Sequence, residues 1–356
     1  MYCVLMAGGA GTRFWPRSRS ERSKQFLKIF GNLSLIESTL VRFQSITPLE
    51  NTYIVTNIKQ KKELEKHELK IPEGNIIYEP VGRNTAPCIG LAALFIQKRD
   101  PDGVMIVSPA DHLIKNKSKF KRVILAAVSL AKKEDGLVTI GIKPDRPATG
   151  YGYIQINRMF KNINGIDTFT VKTFAEKPDI ETAKRFIESG DFYWNSGIFV
   201  FKVGVILKAL KSLSPDIYKG LSEIQKHIGR KSFHTVLDRV YQDMRKISID
   251  YAVMEKASNV YLVKGDFRWN DLGSWEQVYR LSKKDEMGNV VSGDVVMLDT
   301  KDSYIYSSDG LVAVLGLDNV IVVHDNDITL ICNRESAEDV KKIVEKLERK
   351  KFKKYL

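Results

Sequence analysis

The sequence predicts an α/β fold followed by a small β-rich module, and three observations carry that prediction. Residues 1–140 alternate short apolar runs with longer stretches of helical periodicity. A glycine-rich turn, Gly8–Gly9–Ala10–Gly11, follows directly on the first apolar run. Beyond about Asp285, short apolar runs crowd together, with Gly and Asp-Asn steps between several of them.

In the first half, strands are expected at Tyr2–Ala7, Thr52–Thr56, Asn75–Tyr78, Val104–Ser108 and Leu137–Ile140. Helices are expected at Ser34–Ser45, Ile58–Glu68, Thr85–Lys98 and Lys119–Lys133. That rhythm implies a parallel sheet covered on both faces, with the wholly apolar Val104–Val107 as a central strand. From about Gly150 the connections become mixed. Strands at Tyr153–Ile156, Thr168–Phe174 and Gly197–Phe201, with helices at Ile180–Glu188, Val203–Leu213 and Phe233–Tyr241, suggest a lid or subdomain inserted on the same sheet. The tail reads as strands Val290–Val291, Val295–Leu298, Ser303–Ser307, Val312–Leu315, Val320–Val323 and Ile328–Cys332, then a helix Ser336–Lys350. Their spacing suits a few coils of a β-solenoid, although no strict repeat is present. The expected domains are therefore 1–285 and 286–356.

Composition narrows the function. The 356 residues, 43% hydrophobic, suffice for one large domain with an appendage and argue against global disorder. No apolar run reaches the roughly eighteen residues of a membrane helix, and Tyr2–Ala7 is too short for a secretory signal. Cys3, Cys88 and Cys332 lack metal-ligand spacing, which fits thiols in a reducing cytosol and a cytoplasmic protein. The formal charge of +13 suits nucleic acid or phosphorylated small molecules alike. No zinc knuckle, helix-turn-helix or aromatic RNA-binding motif is present, so neither nucleic acid nor membrane is expected as a partner. Arg349, Lys350, Lys351, Lys353 and Lys354 read as a solvated helix end with a frayed tail.

Glycines let backbone N–H groups approach phosphates, and Arg13 adds a forked cation. A P-loop would need Gly-Lys-Ser/Thr, and a dinucleotide fingerprint would need glycine at Phe14; neither fits. A glycine turn alone is also an ordinary structural device. The continuation Phe14–Trp15–Pro16–Arg17–Ser18–Arg19, then Lys24–Gln25–Phe26, is a basic loop able to cover a polyphosphate. Together these runs resemble the signature of nucleotide-sugar pyrophosphorylases, in the spelling of bacterial mannose-1-phosphate guanylyltransferases. Met6 and Arg17 stand where leucine is common in that family; neither departure removes a chemical group.

The resemblance implies a Rossmann-like nucleotidyltransferase domain with a mixed sheet and a small β-helix-like C-terminal module. It implies GTP and mannose 1-phosphate as substrates and Mg²⁺ as cofactor. Gly8, Gly9 and Gly11 would then bind nucleotide, and Arg13 and Lys24 would offset its charge. Glu79–Pro80–Val81–Gly82–Arg83–Asn84–Thr85–Ala86–Pro87 resembles the family's base-recognition loop, so Glu79, Asn84 and Thr85 are candidates. Asn84 is equally an N-cap, and Glu79 equally a surface acid before a proline turn. Asp111, at the end of the most apolar strand, would hold Mg²⁺; a turn or cap is its ordinary alternative. His112 is read as a positioning or packing residue. Gly150, in Thr149–Gly150–Tyr151–Gly152–Tyr153, would contact the sugar, or form a plain hairpin. Glu176 and Lys177 of the Glu-Lys-Pro motif would bind sugar hydroxyls and sugar phosphate, and Asn195 of Trp194–Asn195–Ser196–Gly197 the sugar. Asp271, in Trp269–Asn270–Asp271–Leu272–Gly273–Ser274–Trp275, would be the second metal ligand, while its flanking tryptophans suit a core. The chain ends too soon for the isomerase domain of bifunctional relatives. Another base or sugar, such as glucose 1-phosphate, remains an alternative. A silent sensor is disfavoured because Arg13, Lys24, Asp111 and Asp271 are all present. Whether the chain forms a homo-oligomer is not legible in the sequence.

Overall fold

The computed structural model describes residues 1–9 and 11–356; Ala10 of the glycine turn lies outside them. The chain divides into two compact units. The first is Met1–Gly8, Thr39–Lys61 and Leu69–Asn270; the second is Gly9–Ser38, Lys62–Glu68 and Asp271–Leu356.

The first unit is built on one nine-stranded sheet. Its strands are β1 (Tyr2–Ala7), β2 (Thr52–Asn57), β3 (Ile76–Glu79), β4 (Val104–Pro109), β6 (Leu137–Ile142), β7 (Gly152–Ile163), β8 (Ile166–Glu176), β9 (Phe192–Lys202) and β10 (Val260–Gly265). A separate pair is formed by β5 (Leu113–Ile114) and β11 (Trp269–Asn270). The order is β3-β2-β1-β4-β9-β6-β10-β8-β7. Strands β3, β2, β1 and β4 run parallel, as their apolar runs imply. The sheet as a whole is mixed, as expected: β9 lies between β4 and β6 and runs antiparallel to both, so β6 keeps the direction of β4 without pairing with it. Only Gly197–Phe201 reads as strand in the sequence, since the polar Asn195–Ser196 step and Gly197 (φ +69°) interrupt the apolar run. Strands β7 and β8 form a long hairpin whose Asn164–Gly165 turn has positive φ at both residues, the twist that a two-residue hairpin favours.

Helices cover the sheet. They are α1 (Leu35–Gln44), α3 (Thr85–Arg99), α4 (Lys117–Glu134), α5 (Ile180–Ser189), α6 (Val203–Leu213), α7 (Pro215–Gln225) and α8 (Phe233–Asp243), whereas the short α2 (Lys61–Glu65) belongs to the second unit from Lys62. Helix α1 opens with a Ser34–Glu37 capping box, α4 with Asn116 and α5 with Asp179, each accepting from the first turn. Helix α7, with Pro215 at its start, has no counterpart among the expected elements, and neither do β10 or the single π turn Asp250–Met254. Helix α3 is apolar nearly all round and lies in the main core with β1, β2 and β4.

In the second unit, helix α9 (Trp275–Leu281) precedes strands β12 (Val290–Ser292), β13 (Val295–Leu298), β14 (Tyr304–Ser307), β15 (Val312–Leu315), β16 (Val320–Asp325) and β17 (Ile328–Asn333). Strands β12, β14 and β16 stack in parallel, as do β13 and β15, around Ile305, Val314 and Val322. This is the solenoid expected of the tail, closed by the antiparallel β16–β17 hairpin. The expected terminal helix is a 3₁₀ turn, Arg334–Asp339, followed by α10 (Val340–Arg349). The frayed tail is not observed: Trp15 Nε1 donates to the Tyr355 carbonyl at 2.8 Å. Among the described residues no helix is long and apolar enough to cross a membrane.

Candidate active site

Strands β1, β3 and β4 end on the same edge of the first unit's sheet, where ligands of open α/β sheets bind. Glu79 closes β3 and is buried, 3% exposed, so the surface-acid reading is overturned. A Cβ on Gly8 would sit 3.5 Å from Glu79 Oε2, so the carboxyl lies directly against the start of the glycine turn. Glu79 Oε1 and the Tyr241 hydroxyl have no hydrogen-bond partner of acceptable geometry, although the two groups adjoin. Burial, only partly offset by Tyr241, pushes the Glu79 carboxyl up to about 8. Burial and the neighbouring Glu79 likewise hold the Tyr241 phenol well above its usual range.

The loop after Glu79 is clamped by the segment after α8. Arg83 donates to the carbonyls of Tyr241 (2.6 Å) and Gln242. Asn84 caps α3 through a bond from Thr85 N, the plain role weighed for it. Thr85 Oγ1 accepts from Ile249 N at 2.8 Å, and Ala86 N donates to Ile247 O.

Asp111 lies in the turn after β4, its side chain 29% exposed. Helix α1 holds this turn from below: Thr39 Oγ1 donates to Ala110 O and Arg42 Nη2 to His112 O. Trp269 Nε1 donates to His112 Nδ1 at 3.1 Å, which leaves the ring proton of a neutral His112 on Nε2, 3.9 Å from Asp111 Oδ1. His112 thus lies between Trp269 and the Asp111 carboxylate. Trp269 packs edge-on to Tyr151, and Tyr151 to Trp194, so one aromatic wall joins the Asp111 turn to the Gly150 loop and to the strand carrying Asn195.

Beyond that wall lie the remaining candidates of the first unit. Gly152 pairs with Glu176, and a Cβ on Gly152 would come 2.4 Å from Glu176 Oε2, so a side chain there would push this carboxylate aside. Lys177, at φ +49°, pairs with Glu176 at 2.9 Å. Asn195 accepts from Thr139 Oγ1 and Gly197 N and donates to Asp250 Oδ1 at 2.7 Å. Gly150 is exposed with open space around it.

In the second unit, Gly11 has φ +65°, and a Cβ there would overlap Lys24 Cβ at 2.4 Å, so the turn requires glycine twice over. Gly9 faces open space. Lys24 is buried over the Phe14 ring and donates to the Asp271 carbonyl at 2.6 Å. Arg13 Nε is buried without a partner. The loop between them rests on the C-terminal strands. The Arg17 guanidinium lies 4.1 Å from the Tyr306 ring, Arg22 bonds Asp325 at 2.5 Å, and Arg19 reaches the same residue. Trp275 stacks on Tyr304 and packs tilted against Phe14, a core role. No cluster of three or more His, Cys, Asp or Glu able to hold a metal exists among the described residues. The described residues thus hold no protein-only cage, whereas Mg²⁺ is commonly held by one or two carboxylates plus phosphate and water. The hard oxygens of Asp111 and Asp271 suit that second mode.

Acids and a glycine turn at the strand ends of an open α/β sheet are the arrangement of α/β proteins that bind ligands along that edge. Residues 2–288 match the family model described as nucleotidyl transferase, and residues 293–347 the one described as MannoseP isomerase/GMP-like beta-helix domain. A mannose-1-phosphate guanylyltransferase of Escherichia coli is 40% identical over 97% of this chain and 75% of its own length. A mannose-1-phosphate guanylyltransferase of Salmonella typhimurium is 39% identical over 98% and 73%. A solved structure from Thermus thermophilus, described as a mannose-1-phosphate geranyltransferase, superposes with a TM-score of 0.87 at 32% identity, covering 98% of this chain and 99% of that one. The chain belongs to the mannose-1-phosphate guanylyltransferase family of nucleotidyl transferases. Enzymes of this family generally use a divalent metal.

Proposed function

We propose that this chain transfers GMP from GTP to mannose 1-phosphate, giving GDP-mannose and pyrophosphate, with Mg²⁺ as the metal. The observation that carries the reading is the 40% identity to a mannose-1-phosphate guanylyltransferase along nearly the whole chain. A sugar-phosphate oxygen forms the new bond to the α-phosphorus as the bond to the bridging oxygen of the leaving pyrophosphate breaks. That oxygen is already anionic at neutral pH, so no general base is needed, and the protein's work is positioning and charge neutralisation.

In this reading the Gly8, Gly9 and Gly11 backbone follows the phosphates, and Arg13 and Lys24 offset their charge. Lys24 has a second task, holding the main chain at Asp271. Glu79 reads guanine by accepting from N1–H and the 2-amino group, donors that adenine does not present there. Asn84 and Thr85 form the base loop. Gly150, Glu176 and Asn195 line the sugar, and Lys177 holds its phosphate. Asp111 and Asp271 would hold Mg²⁺, which when bound neutralises charge on the triphosphate and leaving group. Residues 286–356 act as a scaffold for the basic loop rather than as a second catalytic domain. Incubation with Mg²⁺, mannose 1-phosphate and each NTP in turn should release pyrophosphate fastest with GTP. Equal or faster release with another NTP, or with glucose 1-phosphate, would replace this reading by the corresponding alternative.

A further inference from the structure

The π turn Asp250–Met254 brings one more carboxylate to the sugar-side residues. Single π turns are uncommon and recur at functional sites. This one is firmly anchored. Ala252, Val253 and Met254 are buried, Ser214 Oγ donates to Ala252 O at 2.9 Å, and the preceding Ile249 is tied to Thr85. With its backbone fixed, Asp250 aims its carboxylate at Asn195. The bond from Asn195 Nδ2, together with the two donors on Asn195 Oδ1, sets the amide in one orientation; a flipped amide would turn its oxygen onto a carboxylate.

Asp250 also has a carboxylate neighbour. Glu176, reaching in from the end of β8 over Gly152, faces the same region. Burial first, then Glu176, pushes Asp250 up to about 6, while the Asn195 bond works the other way. Glu255 adds negative charge from the same turn, Tyr251 lies beside it, and Lys177 supplies the nearby cation, paired to Glu176. Two half-buried carboxylates set close together repel unless donors come between them. Adjacent hydroxyls of a hexose are such donors.

We propose that Asp250 is a specificity-determining residue of the sugar subsite: it fixes the Asn195 amide and, with Glu176, offers paired acceptors to neighbouring hydroxyls of the hexose. The proposal rests on the reading of the chain as a hexose-1-phosphate guanylyltransferase. Asp250→Asn keeps an oxygen for Asn195 but loses the charge. In the full-length protein it should raise the KM for mannose 1-phosphate by roughly 10- to 100-fold, the range implied by one lost charged hydrogen bond, and leave the KM for GTP unchanged. It should also narrow the preference for mannose 1-phosphate over glucose 1-phosphate and remove an acidic limb near pH 6 from kcat/KM for the sugar phosphate. Unchanged KM, selectivity and pH profile in Asp250→Asn would overturn the proposal alone. A wild-type protein that uses no hexose 1-phosphate with GTP would overturn the functional reading and this proposal together.

Discussion

At the scale of single residues, Glu79 shows how far environment departs from local sequence. Its carboxyl sits at about 8 because water is excluded around it. The native state therefore favours the protonated form, and the stability this contributes is complete below the unfolded value of about 4.5. It is lost as the pH rises through about 8. Glu79→Gln cannot ionise, so its melting temperature should gain several degrees on the wild type between about pH 5 and pH 9, on the order of a few kcal/mol. Guanine needs the ionised form, so GTP binding near pH 7 should release about one proton, read by calorimetry in buffers of different ionisation enthalpy. Glu79→Gln should abolish that release and narrow the gap between GTP and ATP. Proton release and GTP preference both intact in the variant would make Glu79 a core residue with no part in base reading. The acid and its motif are plain in the sequence, but nothing local to Glu79 announces Gly8 and Tyr241 as its neighbours.

At the scale of elements, the C-terminal strands are the support of the basic loop that follows the glycine turn. Asp325, at the end of β16, is buried and takes both Arg22 and Arg19. Tyr306 on β14 takes Arg17, the position where the family commonly has leucine, so the departure has a structural partner. Asp325→Ala would take from Arg22 its carboxylate acceptor and weaken the pairing of Arg19, which keeps the carbonyl of residue 325 and Asp327, costing about 1–3 kcal/mol. Because those arginines belong to the loop carrying Lys24, the KM for GTP should rise as the melting temperature falls. A lower melting temperature with an unchanged KM would show that the strands stabilise the unit without shaping the loop. Helix α1 supports the Asp111 turn in the same manner, through Thr39 and Arg42. None of these supports has a spacing signature, because each joins residues hundreds or tens of positions apart.

At the scale of the whole molecule, the proposed metal ligands Asp111 and Asp271 come from motifs far apart in the chain. Asp111→Asn and Asp271→Asn should each lower turnover by about 100-fold or more with the melting temperature little changed. Near-wild-type turnover in either would remove that residue from the metal. Motifs whose residues lie a few positions apart are enough to give the family, and apolar periodicity gives most strand and helix positions. The solenoid character of the tail is legible too, since close strand spacing leaves little else. None of this reveals that β9 divides the parallel strands or that the final residues pin Trp15. Nor does it reveal that Glu79 is buried or that Asp250 meets Asn195 across 55 positions. Those facts exist only once the chain is folded, and they share one cause. Periodicity and capping are written in neighbouring residues, whereas burial, desolvation and long-range hydrogen bonds depend on which distant segments the folded chain brings to the same place.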